Sequence, residues 1–465
     1  MKKFMASLLA LSLAASLAAC GAQGDGGAED DAPQQSGLHF EVTTSTYENE
    51  YKADDGTLLL SEKYELPQLA LYTESGELYA PTAEAVPSTD ETRSAQLAVR
   101  DAFNAEMENV LASLRAETGE FAEEGRAYYD SLEDKASFFG PWASELSVVG
   151  AYQTDGLLSV TAEAYAYYGG AHPNTAARAW NFDLTTGEFL TLDLLDAQAA
   201  GSGDGGAGQA RASVDSALGK TLIDTLSAAV LDQIREQDLS EGYFDDYEAY
   251  VRDLSSTASF SFDAAGMNIV FDTYVIAPYA ASAQAFHIPY SIFYNALSPH
   301  AQSVLDVPQS EIVLADYYTT QTLWSWFYMT TAPLDTDGAP VAEEGFSTYY
   351  RCAIGGVTTL DELRALLCEH VSGEVADEWL AENRFAEYNG VLCSCQADRG
   401  SDITIGGVEY EVIFNGDGGE LLQTVSRQDF DADGNTCLTG ETDEYVYPFM
   451  LADGHAVFSA FPCPL

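Results

Sequence analysis

The residues from Tyr165 to Asn174, Y-A-Y-Y-G-G-A-H-P-N, put three phenol rings beside an imidazole. An imidazole can serve as general base, metal ligand or hydrogen-bond clamp, and phenol rings can stack on a sugar or on a protein partner. Gly169, Gly170 and Pro173 make a tight turn around His172, so the preferred role for His172 is to pin that turn, with direct ligand contact as the second. Tyr165, Tyr167 and Tyr168 divide between the two faces of the strand leading in, which leaves some ring exposed. Together with Gly169, Gly170, His172 and Asn174 they are the candidate ligand-binding residues. The six histidines are scattered, and no HExxH, GxSxG or Walker-type pattern occurs. A lone histidine is weak support for zinc, and no catalytic residue is assigned.

A second group of reactive side chains lies near the C-terminus, where Cys352, Cys368, Cys393, Cys395, Cys437 and Cys463 account for every cysteine except Cys20. An even set in an exported segment points to disulfides with the pairing left open; Cys393 and Cys395 share one face of a strand and would bond to different partners. A zinc cluster is the alternative, and it lacks a CxxC pair. Asp429-Phe430-Asp431-Ala432-Asp433-Gly434 has the opening spacing of an EF-hand loop, in which alternate carboxylates converge on calcium. Its twelfth position is Gly440, with Glu441 one place late, and strand-like runs flank it. Asp429, Asp431, Asp433 and Glu441 therefore stand as a calcium candidate beside the plainer reading of an ion-free acidic hairpin tip. No other cofactor is expected.

At the N-terminus Lys2 and Lys3 precede an apolar run from Phe4 to Ala19, too short to span a bilayer, which closes on Leu17-Ala18-Ala19-Cys20-Gly21. This looks like a bacterial lipobox, with residues 1–19 as signal peptide and the Cys20 thiol as lipid acceptor; an ordinary secretory signal is the alternative. Residues 20–37 have almost no apolar content and read as a tether. The expected location is the outer face of the bacterial cell membrane. The chain of 465 residues carries a net charge of −55, and loss of Lys2 and Lys3 would make it −57. Such a field repels nucleic acid and anionic headgroups and steers basic partners inward. With 46% hydrophobic and 12% aromatic residues the chain can fill real cores, which argues against a disordered chain.

The elements that hold these groups can be read from periodicity. Residues 39–51 and 58–71 alternate as half-buried strands, and 94–117 repeats apolar residues at helical spacing. Residues 146–154 and 157–168 form a hairpin about Asp155-Gly156, and another follows in 180–190. Ala199 to Gly208 is a flexible insertion. Trp324, Trp326 and Tyr328 would share one face of a strand, more readily core than a glycan platform. Residues 332–345 are rich in Pro and acid and mark a boundary. Beyond it come helices within 359–382 and strands near 385–395, 407–414, 420–428, 442–449 and 455–461. The fold class is α+β with antiparallel sheets and packed helices, followed by a disulfide-bearing α+β module at 346–465. The first domain spans 38–300, in halves of about 38–195 and 213–300, and 301–345 is an aromatic segment and linker.

The ordered series YYGGAHPN, N-F-D-L-T-T-G-E-F-L-T-L from Asn181, F-S-F-D-A-A-G-M-N-I-V-F from Phe260, Tyr274-Val275-Ile276-Ala277-Pro278-Tyr279 and His287-Ile288-Pro289-Tyr290 resembles one family. It is the extracytoplasmic domain shared by RsiV-type anti-sigma factors and the non-catalytic part of PdaC-type peptidoglycan deacetylases. One departure is Ala280-Ala281-Ser282, where that family usually has a glycine. The order of elements after 346, with Tyr388 to Leu392 and Asp398-Arg399-Gly400, is distantly similar to the cystatin- or NTF2-like module of IseA-type endopeptidase inhibitors. The resemblance implies binding rather than catalysis: a cell-surface lipoprotein that takes a lysozyme-like wall hydrolase or peptidoglycan, in envelope-stress protection or hydrolase inhibition. A wall-acting hydrolase or transferase with an unrecognised active site is the alternative.

Overall fold

The computed structural model describes residues 37–81, 90–198, 220–237, 242–345, 347–396, 399–400, 402–430 and 435–464. The signal peptide, Cys20, most of the tether, the 199–208 insertion, Asp398, Asp431 and Asp433 lie outside the described residues. The expected α+β class is met, with four sheets that are antiparallel apart from one strand pair. No helix among the described residues is long and apolar enough to cross a membrane.

The first sheet runs β1-β2-β3-β4-β5, from β1 (Leu38–Lys52) and β2 (Leu58–Thr73) to β3 (Trp142–Gln153), β4 (Leu157–Tyr167) and β5 (Asn174–Asp183). β2 and β3 pair in parallel because helix α1 (Glu91–Ser131) carries the chain back across one face between them. Asp90 caps α1, its side chain accepting from the Arg93 N–H at 3.2 Å. Leu97, Val99, Phe103 and Met107 are buried along the helix, and the last three pack with Leu69, Leu158, Val160 and Phe182 of the sheet.

The helix runs 14 residues past the expected end at Glu117. Its last four turns bury small groups, Thr118, Ala122 and Gly125, where the apolar period fades from the sequence. They let the helix lie close to the sheet: Thr118 meets Tyr64, and a Cβ on Gly125 would approach the Trp142 ring to 3.2 Å. At its end the Tyr129 hydroxyl donates to Asp55 Oδ2 at 2.6 Å. That bond, followed by the Thr57 N–H, holds the Asp55 carboxyl down at about 2. Tyr129→Phe is expected to return Asp55 toward the ordinary 3.8, read by NMR titration of the side-chain carboxyl. An unmoved titration would mean that the Thr57 turn alone sets it.

The second half continues with helix α2 (Leu222–Glu236) and a three-stranded sheet, β6 (Ala258–Phe262), β7 (Gly266–Phe271) and β8 (Gln284–Pro289). β5 and β6 are both edge strands, and where no ladder forms between them side chains of β4, β5 and the residue after β7 suture the two sheets. Asn181 Nδ2 donates to Phe260 O at 2.8 Å, and the Phe262 N–H donates to Ser159 Oγ at 2.9 Å. Asp272 Oδ1 accepts from the Ala177 N–H at 2.7 Å.

Helix α3 (Gln309–Tyr328) replaces the strand expected for the aromatic segment. Its buried residues include Val313, Tyr317, Thr320, Leu323, Trp324 and Phe327, the helical repeat, but apolar residues occupy nearly every side. A helix buried all round shows a weak period, so alternation at Trp324, Trp326 and Tyr328 imitates a strand. The expectation that these rings are core holds for the tryptophans, which are 7% and 4% exposed. The helix packs against the C-terminal elements, so the aromatic segment is part of that core rather than a lead into a linker. There α4 (Leu360–Cys368) and α5 (Gly373–Leu380) accompany two four-stranded sheets. One is ordered β11-β12-β10-β9, from β9 (Ala342–Glu344), β10 (Ser347–Arg351), β11 (Phe385–Tyr388) and β12 (Val391–Cys395). The other is the meander β13 (Ile405–Asn415), β14 (Gly418–Phe430), β15 (Thr436–Ala452) and β16 (His455–Phe458).

Candidate functional site

The turn after β4 lies against the loop between β7 and β8. His172 stacks on Tyr279 with ring centroids 3.8 Å apart. Its Nδ1–H donates to Pro173 O at 3.0 Å, which in the neutral ring leaves Nε2 to accept from the Tyr274 hydroxyl at 3.2 Å. Both nitrogens are thus engaged, and the clamp role expected for His172 is what the geometry shows. Tyr274 has φ +72°, rare for a bulky side chain, and its ring is 52% exposed. Its N–H donates to Ala277 O at 3.1 Å, closing the turn that presents the ring.

The other expected residues frame this cluster. Gly169 has φ +79°, and a Cβ there would come within 2.7 Å of Trp142 Nε1, so this position needs glycine for conformation and for space. At Gly170 a Cβ would meet only His172 O, at 3.7 Å. The tyrosines divide as expected: Tyr168 stacks on Phe121 of α1 at 3.7 Å, while Tyr167 meets Phe139 edge-on. All three, Tyr165 included, are half-buried, and Asn174 is exposed at the start of β5. Sequence reasoning did not assign Tyr274 or Tyr279 to the site, although both stand in the motif quoted for the resemblance.

Ser282 ends the same loop with φ +62° and ψ −171°, a region that glycine alone enters freely. Here the chain departs from the glycine of the resembling family, and it carries the strain. Ser282→Gly is expected to stabilise the fold by about 1 kcal/mol, the relief of strain outweighing the extra unfolded-state entropy. A thermal melt checks this, and an unchanged or lower midpoint would refute it.

Two clefts lie along the sutured edge between β5 and β6, sharing Ala179, Ser259 and Phe260. One of about 370 Å³ is lined by Glu106, Trp180, Phe189 and Phe260, the other of about 250 Å³ by Val149, Thr161, Glu163 and Arg178. Nearby, Asp183 accepts from the Thr185 hydroxyl at 2.6 Å and pairs with His300. Burial acts to raise its carboxyl, but the bonds from Thr185, His300 and Thr186 outweigh it and hold the group below its usual range. It caps a turn.

The C-terminal candidates fare differently. The disulfides expected among Cys352, Cys368, Cys393, Cys395, Cys437 and Cys463 are not formed in this structure, where all six are free thiols. Cys437 and Cys463 are engaged with other partners. Cys437 is exposed on the β14–β15 hairpin with its thiol on Asp429 O at 3.5 Å, and Cys463 accepts from Gln321 Nε2 at 3.6 Å in the aromatic core. Cys352 packs in that core beside Cys393, and burial pushes its thiol up to about 12. For calcium, the ladder sets Asp429 opposite Cys437, while Glu441 falls in the bulge between the Leu438–Gln428 and Thr442–Ser426 pairs. The two carboxylates are not brought opposite each other, and the described residues contain no group of three or more metal-ligating side chains placed to share an ion.

Comparison with known proteins supports the resemblance. Residues 86–175 match the family model described as Deacetylase PdaC, and residues 217–291 match DUF3298, a family of unknown function. The first match contains the His172 turn and the second contains Tyr274 and Tyr279, so the cluster joins the two. Among solved structures, a DUF3298-family protein from Bacteroides fragilis is 15% identical, with a TM-score of 0.36, over 57% of this chain and 94% of that one. Another from Pseudomonas aeruginosa is 16% identical, with a TM-score of 0.30, over 57% and 96%. No curated protein matches the chain.

Proposed function

We propose that this chain is a non-catalytic binding protein of the bacterial cell envelope, held at the outer face of the membrane through Cys20. Its 38–300 region captures a basic, lysozyme-like wall hydrolase. The observation that carries this reading is Tyr274, a half-exposed ring kept at positive φ and bonded to His172 from the other matched segment. Strain of this kind persists where the surroundings enforce it, and it gathers at binding surfaces. A clamp with both ring nitrogens engaged suits presentation of a surface better than proton transfer. The net charge of −55 draws a basic partner in, and the aromatic turn supplies the specificity that charge lacks.

The test is titration of the full chain with lysozyme and with equally basic cytochrome c, at low salt and at physiological salt, where screening sets in beyond about 8 Å. Lysozyme binding is expected to survive physiological salt and to weaken about tenfold in Tyr274→Ala, as for an aromatic hot spot. Equal affinity for both proteins, lost together as salt rises, would refute it. The match to the family described as Deacetylase PdaC favours a second reading, deacetylation, with the wall polymer as the substrate that the sequence resemblance implies. Turnover of purified peptidoglycan by the same preparation would establish that instead.

A further inference from the structure

The β13–β16 meander carries apolar side chains on both faces. Its inner face buries Leu421, Val425, Tyr447 and Phe449 in the C-terminal core. By strand alternation the outer face carries Ile413, Leu422, Val446, Pro448, Met450 and Val457. The register makes these neighbours: Leu422 pairs with Val446 and Met450 with Val457, with Ile413 and Pro448 on either side of Glu420. Ile413, Val446 and Met450 are 43%, 40% and 58% exposed. An antiparallel sheet covered on one side usually shows polar groups on the other. Of the exposed large hydrophobic residues between Ile403 and Met450, Ile413, Val446 and Met450 fall on this outer face, on β13 and β15 at either side of β14. A concentration of this kind marks an interaction surface.

Charge decides what covers it. Glu409, Glu411, Glu420 and Glu444 share the outer face by the same register, and none of them forms an ion pair among the described residues. The face has no Lys or Arg to offset them. Pairing two copies through this face would set four carboxylates against four, and an anionic lipid surface would be repelled in the same way. We propose that the outer face of this sheet docks a basic amphipathic protein segment, whose apolar side covers Val446 and Met450 and whose cations meet the glutamates. This surface is distinct from the Tyr274 turn and does not depend on the function proposed above.

The probe is a fluorescent amphipathic helical peptide of Lys and Leu, titrated with the full chain at physiological salt, beside a Lys-only peptide of equal charge. The variants are Val446→Ser with Met450→Ser, Glu411→Gln with Glu420→Gln, and Leu194→Ser as an exposed apolar control elsewhere. Each double variant is expected to weaken binding of the Lys/Leu peptide about tenfold or more, with Leu194→Ser unchanged. The Gln pair keeps side-chain shape, so its result does not rest on the fold tolerating a change of size. No binding by the native chain, native affinity in either double variant, or equal affinity for both peptides overturns the proposal.

Discussion

Asp316→Ala is expected to lower the stability of the C-terminal core by about 3–5 kcal/mol, among the larger effects available to one substitution in this chain. Asp316 projects from α3 with no exposed surface. Its Oδ2 accepts from the Ala456 N–H at 2.6 Å and its Oδ1 from His455 Nδ1 at 3.0 Å and Asn295 Nδ2 at 3.3 Å. One carboxylate thus ties the aromatic helix to β16 and to the end of the first domain. Alanine takes the acceptor from the buried Ala456 N–H and from half-buried His455, while Asn295 keeps Thr319 Oγ1 at 3.0 Å, and the cost is desolvation as well as the lost bonds. Asn should cost less with the same sign, because it keeps one acceptor and turns a donor toward donors. Urea unfolding followed by tryptophan emission reports on this core, since Trp324, Trp326 and Trp379 lie within it. A loss below about 1 kcal/mol, the scale of one ordinary hydrogen bond, would show that the carboxylate is not the tie.

The second large effect is expected at Gly169, with Gly170 as its own control. Gly169→Ala forces an L side chain into positive φ and drives a methyl group against the Trp142 ring, which packs with Leu60 and Ala122. The conformational part costs about 1 kcal/mol and overpacking about 1–3, so a loss of roughly 2–4 kcal/mol is expected. Gly170→Ala meets no close atom and should stay within about 0.5 kcal/mol of the native chain. Paired thermal melts decide the matter, and equal midpoints for the two variants would remove Gly169 from its structural role. Because the His172 clamp follows three residues later, Gly169→Ala should also weaken the lysozyme binding proposed for Tyr274 beyond its effect on the melt.

Much of the framework was legible because a one-sided sheet writes its burial as alternation. β1 to β4, the Asp155-Gly156 hairpin and the strands of the C-terminal meander fall within a few residues of where alternation places them. The motif at 165–174 was legible as a tight turn, since two glycines beside a proline leave the backbone few alternatives. The second half of α1 was not, because its contact with the sheet is made by small residues whose hydrophobicity is low and whose value is closeness. Nor was α3, where burial on nearly every side removes the contrast on which a period depends. Cysteine number and an acidic spacing suggest bridges and an ion, and either depends on side chains brought together by the strand register. That register sets Asp429 against Cys437 rather than Glu441.

By itself the amino-acid sequence determined the charge, the class of fold, the strand-rich order of elements and the presence of a glycine-histidine turn, all properties of composition or of neighbours along the chain. Tertiary structure alone decided what that turn does. The bond between His172 and Tyr274 closes across 102 residues. The demand for glycine at 169 comes from Trp142, on a different strand. Such contacts depend on how sheets and helix pack, and packing is set by shape and volume at a distance, which no local spacing of residue types encodes.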